Sequence, residues 1–213
     1  MGRIYDATWG RMFTAIYDRG MKGSEEAGMR EMRHKLLAQA GGRVLELGAG
    51  TGLNLKHYRG VIESLTLTEP DPHMVRRLRE KLAATDQEAA VVEAPAEDLP
   101  FADDSFDTVV VTLVLCTVPD PAAALAEARR VLAPGGKLLF LEHVRSEDAG
   151  LARWQDRLER PWRFLGDGCH CNRDTLTAID SAGFQVNEVE HGTLPKAPPI
   201  VRPLINGSAR SSS

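Results

Sequence analysis

From residue 21 to residue 40 the apolar side chains keep to one stripe. Met29, Met32, Leu36, Leu37 and Ala40 follow at offsets of 3, 7, 8 and 11, the period of an amphipathic helix, and Gly41-Gly42 ends it. The pattern then changes. Short apolar runs at 43–47, 65–68, 89–93, 106–113 and 137–142 read as strands, with a later one at 184–189. Helical stretches separate them: 72–84, where Met74, Leu78 and Leu82 are spaced by four, then 122–131, 151–164 and 174–182. Continuously apolar strands alternating with helices predict an α/β fold, a mostly parallel sheet with helices on both faces. The chain closes on GSARSSS, which is expected to be a flexible tail over 207–213.

Composition narrows the class. The 213 residues, 43% of them apolar and 26% charged, suit one domain, and a chain of this size buries roughly 70% of its extended surface. A balance of 26 basic against 30 acidic residues argues against wrapping nucleic acid. The strongest apolar run, 109–116 (VVVTLVLC), is a strand by length and far too short to span a bilayer. MGRIYDATWG carries no signal core and the three cysteines form no disulfide framework, so a cytoplasmic location is expected, with peripheral membrane contact left open.

The chemistry gathers at the ends of the strands. Residues 44–52 (VLELGAGTG) join a strand to a helix through Gly48, Gly50 and Gly52, which permit a tight turn and close approach of a ligand. The spacing is neither the dinucleotide fingerprint G-x-G-x-x-G nor a P-loop, and alone it also suits a plain turn. Glu69 stands 17 residues after Gly52, ending the second strand in LTEPD. A carboxylate there can accept both hydroxyls of a ribose, although an acidic surface turn would look the same. Residues 94–101 (APAEDLPF) follow the third strand, where Glu97 or Asp98 can accept from an exocyclic amine. Together the three point to a nucleoside cofactor.

VLELGAGTG, LTEPD, AEDLPFADDSFD and RRVLAPGGKLLFLEH resemble the class I S-adenosylmethionine (SAM)-dependent methyltransferases over residues 40–145. The resemblance implies a Rossmann-like seven-stranded sheet ending in a reversed antiparallel hairpin, and SAM as cofactor. It assigns Glu46, Gly48, Ala49, Gly50, Gly52 and Asn54 to the glycine loop around the cofactor's amino acid. Glu69 and Pro70 fall to the ribose, Ala96, Glu97 and Asp98 to the adenine, and Thr112 and Leu113 to the wall after the fourth strand. The later segments LFLEHV, GDGCHCNRDT and PIVRPLINGSA are similar to the methyltransferase-like 7 thiol methyltransferases, and the chain also resembles ubiquinone/menaquinone and phospholipid methyltransferases. On this reading residues 1–41 are an N-terminal helical segment or lid and 42–206 the methyltransferase domain.

The expected partner is a small, apolar methyl acceptor, with a thiol as the candidate, facing the wall of Thr112, Leu113 and Thr117. A thiol acceptor must lose its proton, and His143 and His170 are the candidate proton acceptors near the carboxyl edge. Tyr5, Trp9 and Tyr17 can fold over the site, where an aromatic face would favour a sulfonium. Cys169 and Arg202 lie in segments that the resemblance sets beside the acceptor. Cys169 and Cys171 are too close for the spacing of a structural zinc site, and no metal is expected. Phospholipid or quinol methylation is the alternative acceptor class, and a non-catalytic SAM-binding protein the alternative to an enzyme. A nicotinamide reductase would need a Tyr-x-x-x-Lys pair that the chain lacks. The oligomeric state is left open.

Overall fold

A computed structural model describes residues 17–211. Its strands are β1 (Gly42–Leu47), β2 (Ile62–Thr68), β3 (Ala90–Val92), β4 (Phe106–Thr112), β5 (Leu132–His143), β6 (Phe184–Thr193) and β7 (Pro203–Ser211). They form one sheet in the order β3-β2-β1-β4-β5-β7-β6. The first five run parallel, and β7 enters antiparallel between β5 and β6. The strand order therefore turns between β1 and β4. A crevice opens at their carboxyl ends, the place where open α/β sheets take their ligands.

Alternation along the inner strands builds two cores. In β4, Val109 and Val111 face one side and Val110 the other; in β5, Leu138 and Phe140 oppose Leu139 and Leu141. The first face is covered by α3 (Pro121–Val131) and α5 (Thr175–Ser181) through Leu125, Ala128 and Ile179. The second is covered by α1 (Arg30–Leu37) and α2 (Pro72–Ala83) through Leu36, Leu37 and Leu78. Helix α4 (Ala149–Leu165) contributes Trp162 to that second core. Two helix starts are written as Asp-Pro. Asp71 and Asp120 each accept from the amides two and three residues ahead, and the proline after each needs no amide partner at the first helical position.

One expectation needs correcting. Residues 207–211 are no frayed tail: they complete β7, with Gly207 opposite Phe140 and Ala209 opposite Leu138. A small, polar sequence hid the strand because it lies between two others, and a Cβ on Gly207 would sit 2.0 Å from the Glu188 carbonyl oxygen. The described part of the segment before residue 42 is helical and packs into the core. Met29, Leu36 and Leu37 of α1 and the turn before it are wholly buried in the second core. Among the described residues no helix is long and apolar enough to cross a membrane.

Candidate active site

The glycine loop leaves β1 with Gly48, Gly50 and Gly52 all at positive φ, +59°, +56° and +79°. Their surroundings differ. A Cβ on Gly52 would press to 2.7 Å from Leu78, so that glycine seats α2; a Cβ on Gly50 would meet nothing within 4 Å and would project into the crevice. Glu69 is held at the end of β2 by two amides: Oε2 accepts from Gly50 at 2.9 Å and Oε1 from Asp71 at 3.0 Å. Burial pushes its carboxyl up to about 6, against the pull of those two amides. Each oxygen keeps acceptor capacity for a further donor. Glu69, Pro70, Met74, Pro95, Ala96 and Glu97 line a crevice of about 360 Å³. Glu97 accepts from the Asp120 amide at 3.2 Å, whereas Asp98 is exposed and turned away from it.

A small polar recess lies under the other end of the loop, lined by Arg33, Glu46, Ala49, Asn54 and Thr112. Glu46 accepts from the Tyr58 hydroxyl at 2.6 Å and from the Asn54 amide at 2.8 Å. Burial still drives its carboxyl up. The buried guanidinium of Arg33 donates to Asn54 Oδ1 at 2.8 Å and to Glu25 at 2.9 Å. Arg33 was missed in the sequence, although a signal existed: it stands between Met29 and Leu36 on the buried stripe of its helix. A charge on an apolar face must be paired there, and the pairing points it into the recess.

A third space, about 560 Å³, is mostly apolar. Leu194, Ala197, Val201 and Trp162 wall it, and Leu165 stands at its rim. It shares Tyr17, Leu113, Thr117 and Gly166 with the nucleoside-sized crevice, so the two spaces meet at those residues. Leu113 holds a left-handed backbone at φ 59°, fixed by its amide donating to the Leu141 carbonyl at 2.8 Å. Such strain in a non-glycine residue collects at functional positions. No carboxylate lines this cavity among the described residues, while Arg19 and Lys196 do.

One cluster of reactive groups lies in its wall. Cys116, after β4, His143, ending β5, and Cys169, after α4, are all buried, and one donor atom from each lies within 4.8 Å of the others. Cys169 Sγ is 3.6 Å from His143 Nδ1. Contact with Cys169, then burial, pushes the Cys116 thiol well up; the same contact holds Cys169 down. The backbone carrying Cys116 is anchored by the buried carboxyl of Glu142, which accepts from the amides of Val114, Leu115 and Cys116 at 2.8, 3.0 and 3.3 Å.

The structure gathers Tyr17, Thr117, His143 and Cys169 at this cavity and leaves others out. His170 turns to Glu159, with Nδ1 2.9 Å from its carboxylate, so the two expected histidines do not meet. Arg202 donates to the Ala197 carbonyl at 2.8 Å and lines a separate groove beside Arg145 and Asp148. Cys171 is buried against Gln155, away from Cys169's partners. Tyr5 and Trp9 lie outside the described residues. In the sequence Cys116 only ends the apolar run 109–116, because nothing in a single strand shows which distant loop will meet its end.

The residues fit an adenosyl nucleoside that carries an amino acid. Glu69 offers a buried acceptor for a diol, Gly50 leaves the loop open, and the recess on the other side of the loop supplies a cation and hydrogen-bonding groups. Comparisons with known proteins point to the same cofactor. Residues 45–140 match the family described as "Methyltransferase domain". The chain is 40% identical over 181 residues to the thiol S-methyltransferase TMT1B of Homo sapiens, covering 82% of this chain and 74% of that protein. It is 34% identical over 155 residues to the phosphatidylethanolamine N-methyltransferase of Cereibacter sphaeroides, covering 71% and 75%. A SAM-dependent methyltransferase of Thermotoga maritima shares the fold with a TM-score of 0.68 at 23% identity, over 95% of this chain and 97% of that one.

Proposed function

The chain belongs to the class I SAM-dependent methyltransferases, in the group that includes the thiol S-methyltransferases, and from that premise we propose that it methylates the sulfur of a small apolar thiol. SAM, when bound, supplies a methyl group on a positive sulfur that leaves as a neutral thioether. The protein's task is alignment and exclusion of water. In our reading Glu69 accepts the two ribose hydroxyls and the Ala96–Glu97 turn meets the adenine edge. Arg33 pairs with the carboxylate of the amino acid end, while Glu46 and Asn54 face its ammonium. Gly50 lets the backbone approach, and Gly52 keeps α2 packed behind the loop.

The observation that carries the acceptor class is the meeting of the crevice with an apolar cavity at Leu113 and Thr117, where the described residues of the cavity lining include cations and no carboxylate. A protonated amine would be repelled by Arg19 and Lys196, while a thiolate is favoured. The thiol must be deprotonated, and its proton leaves at the Cys116, His143 and Cys169 cluster, the polar spot in an apolar wall. The test is a series of straight-chain alkanethiols assayed with methyl-labelled SAM. Each added methylene should raise kcat/KM about fourfold until the cavity is full. Charged thiols such as cysteine should be poor acceptors; equal rates for charged and alkyl thiols would overturn the reading.

A lipid-borne acceptor is the second reading, and one surface favours it. On α4, Trp154, Leu158 and Leu165 are exposed and lead to the cavity rim, with Arg153, Arg157 and Arg160 beside them. Apolar and basic residues on one helix suit peripheral contact with an anionic bilayer. The relative from Cereibacter sphaeroides, named for phosphatidylethanolamine, gives this reading a chemical precedent. Three free thiols suit a reducing compartment such as the cytoplasm.

A further inference from the structure

The cluster in the cavity wall has a composition that proton transfer alone does not require. Two sulfurs and one imidazole nitrogen converge from three separate elements, all buried. Ligands in a tetrahedral site with metal–sulfur bonds of about 2.3 Å and metal–nitrogen bonds of about 2.0 Å stand about 3.5–3.8 Å apart. The 3.6 Å from Cys169 Sγ to His143 Nδ1 already has that value, and the full set spreads over no more than 4.8 Å. Both cysteines contact the His143 ring, whose Nε2 is buried and without a hydrogen-bond partner among the described residues.

We propose that Cys116, His143 and Cys169 bind a thiophilic divalent cation of the zinc class, with its remaining coordination position turned into the apolar cavity. Three protein ligands and one open position is the arrangement of a reactive site, whereas structural sites are closed by four. Its supports are in place. Glu142 fixes the backbone of Cys116, and the buried Thr175 hydroxyl donates to the His143 carbonyl at 3.4 Å, so the backbone segments that carry both ligands are held in place. Binding a divalent ion releases the two cysteine protons to solvent and leaves the centre neutral. The open position faces the space assigned above to the acceptor. On the thiol reading, which this role rests on, the acceptor thiol enters as a fourth ligand and loses its proton to solvent. Its sulfur keeps the lone pair that forms the new bond to carbon.

The experiment uses the full chain, reduced and freed of metal by chelator, and titrates it with Co²⁺ as a spectroscopic stand-in for Zn²⁺. One equivalent should produce sulfur-to-cobalt charge-transfer absorption and the strong visible bands of tetrahedral cobalt, with release of about two protons per chain. One equivalent of Zn²⁺ should bleach them. Cys116→Ser and Cys169→Ser should each lose the charge-transfer band, while Cys171→Ser keeps it. X-ray absorption of the Zn²⁺ form of the unaltered chain should read two sulfurs and at least one imidazole, so the result does not depend on variants that fold poorly. An alkanethiol should shift the cobalt spectrum. Absence of the band, a band that survives in both Cys116→Ser and Cys169→Ser, an oxygen-only shell, or no response to thiol would overturn the proposal. Thiol methylation unchanged in metal-free protein would sink the cation and leave the proposed function standing. A cobalt band without any thioether product would do the reverse.

Discussion

At the scale of single residues, the proposed cofactor site rests first on Glu69, buried and held by two amides at the end of β2. Its carboxyl is raised from 4.5 to about 6 by burial, so the unfolded chain ionises first. Stability therefore falls as pH rises from about 4.5 through 6, by about 2 kcal/mol from this group, and does not change further above that window. Hydroxyl donors from a ribose favour the ionised form, so SAM affinity should rise as pH climbs through 6 and then level off. Calorimetric titration between pH 5 and 8 checks this, and a flat profile would contradict it. Glu69→Ala should weaken SAM binding about tenfold to a hundredfold, the scale of hydrogen bonds to a charged group. Arg33→Met should weaken it as well and lower stability by about 3–5 kcal/mol, because Glu25 is left charged and buried without its partner. Urea melts should show that loss; a variant as stable as the parent would mean that the ion pair carries no weight. Glu69 was legible from its place at the end of a strand. Arg33 was legible only as an oddity on an apolar stripe, and its target could not be read before the fold brought Asn54 beneath it.

At the scale of elements, the parallel strands announced themselves by composition and the antiparallel pair did not. Val109 to Val111 and Leu138 to Leu141 are apolar on both faces because helices cover both. The last strand, PLINGSARS, is small and polar in its second half yet pairs on both edges. Truncation after Asn206 should remove the partners of Lys137 to Phe140 and abolish cooperative thermal unfolding; a melt like the parent's would mean that the strand is dispensable. Helix α4 makes a different prediction. Arg157 stacks over the exposed Trp154 ring at 5.7 Å, beside Leu158. If this face meets a bilayer, Trp154→Ser with Leu158→Ser should lower co-sedimentation with anionic vesicles about tenfold or more, each buried apolar side chain contributing about 1.5–3 kcal/mol. The stability of the fold should hold, since both side chains are exposed. Equal vesicle binding by the double variant would remove the membrane from the account.

Across the whole molecule, chemistry sits where the strand order turns. β1 and β4 part at their carboxyl ends, the nucleoside-sized crevice lies on one side of Leu113, and the apolar cavity on the other. The crevice could be read in advance because its residues are local: a loop, a strand end and a turn, each a few residues long. The cavity could not, because it is assembled from residues before α1, after β4, at the end of β5 and after α4. Its thiol and imidazole groups come from segments that no short motif links.

Where the methyl group lands separates a thiol methyltransferase from one that acts on a phospholipid or a quinol. Methyl-deuterated SAM, the purified chain, a medium-length alkanethiol, an aminophospholipid in vesicles and a quinol are placed in one reaction, and the products are weighed by mass spectrometry. Deuterated methyl on the thiol sulfur is expected as the main product, formed one for one with S-adenosylhomocysteine and suppressed by Glu69→Ala. Deuterium on the phospholipid amine or the quinol, with the thiol unlabelled, would contradict it.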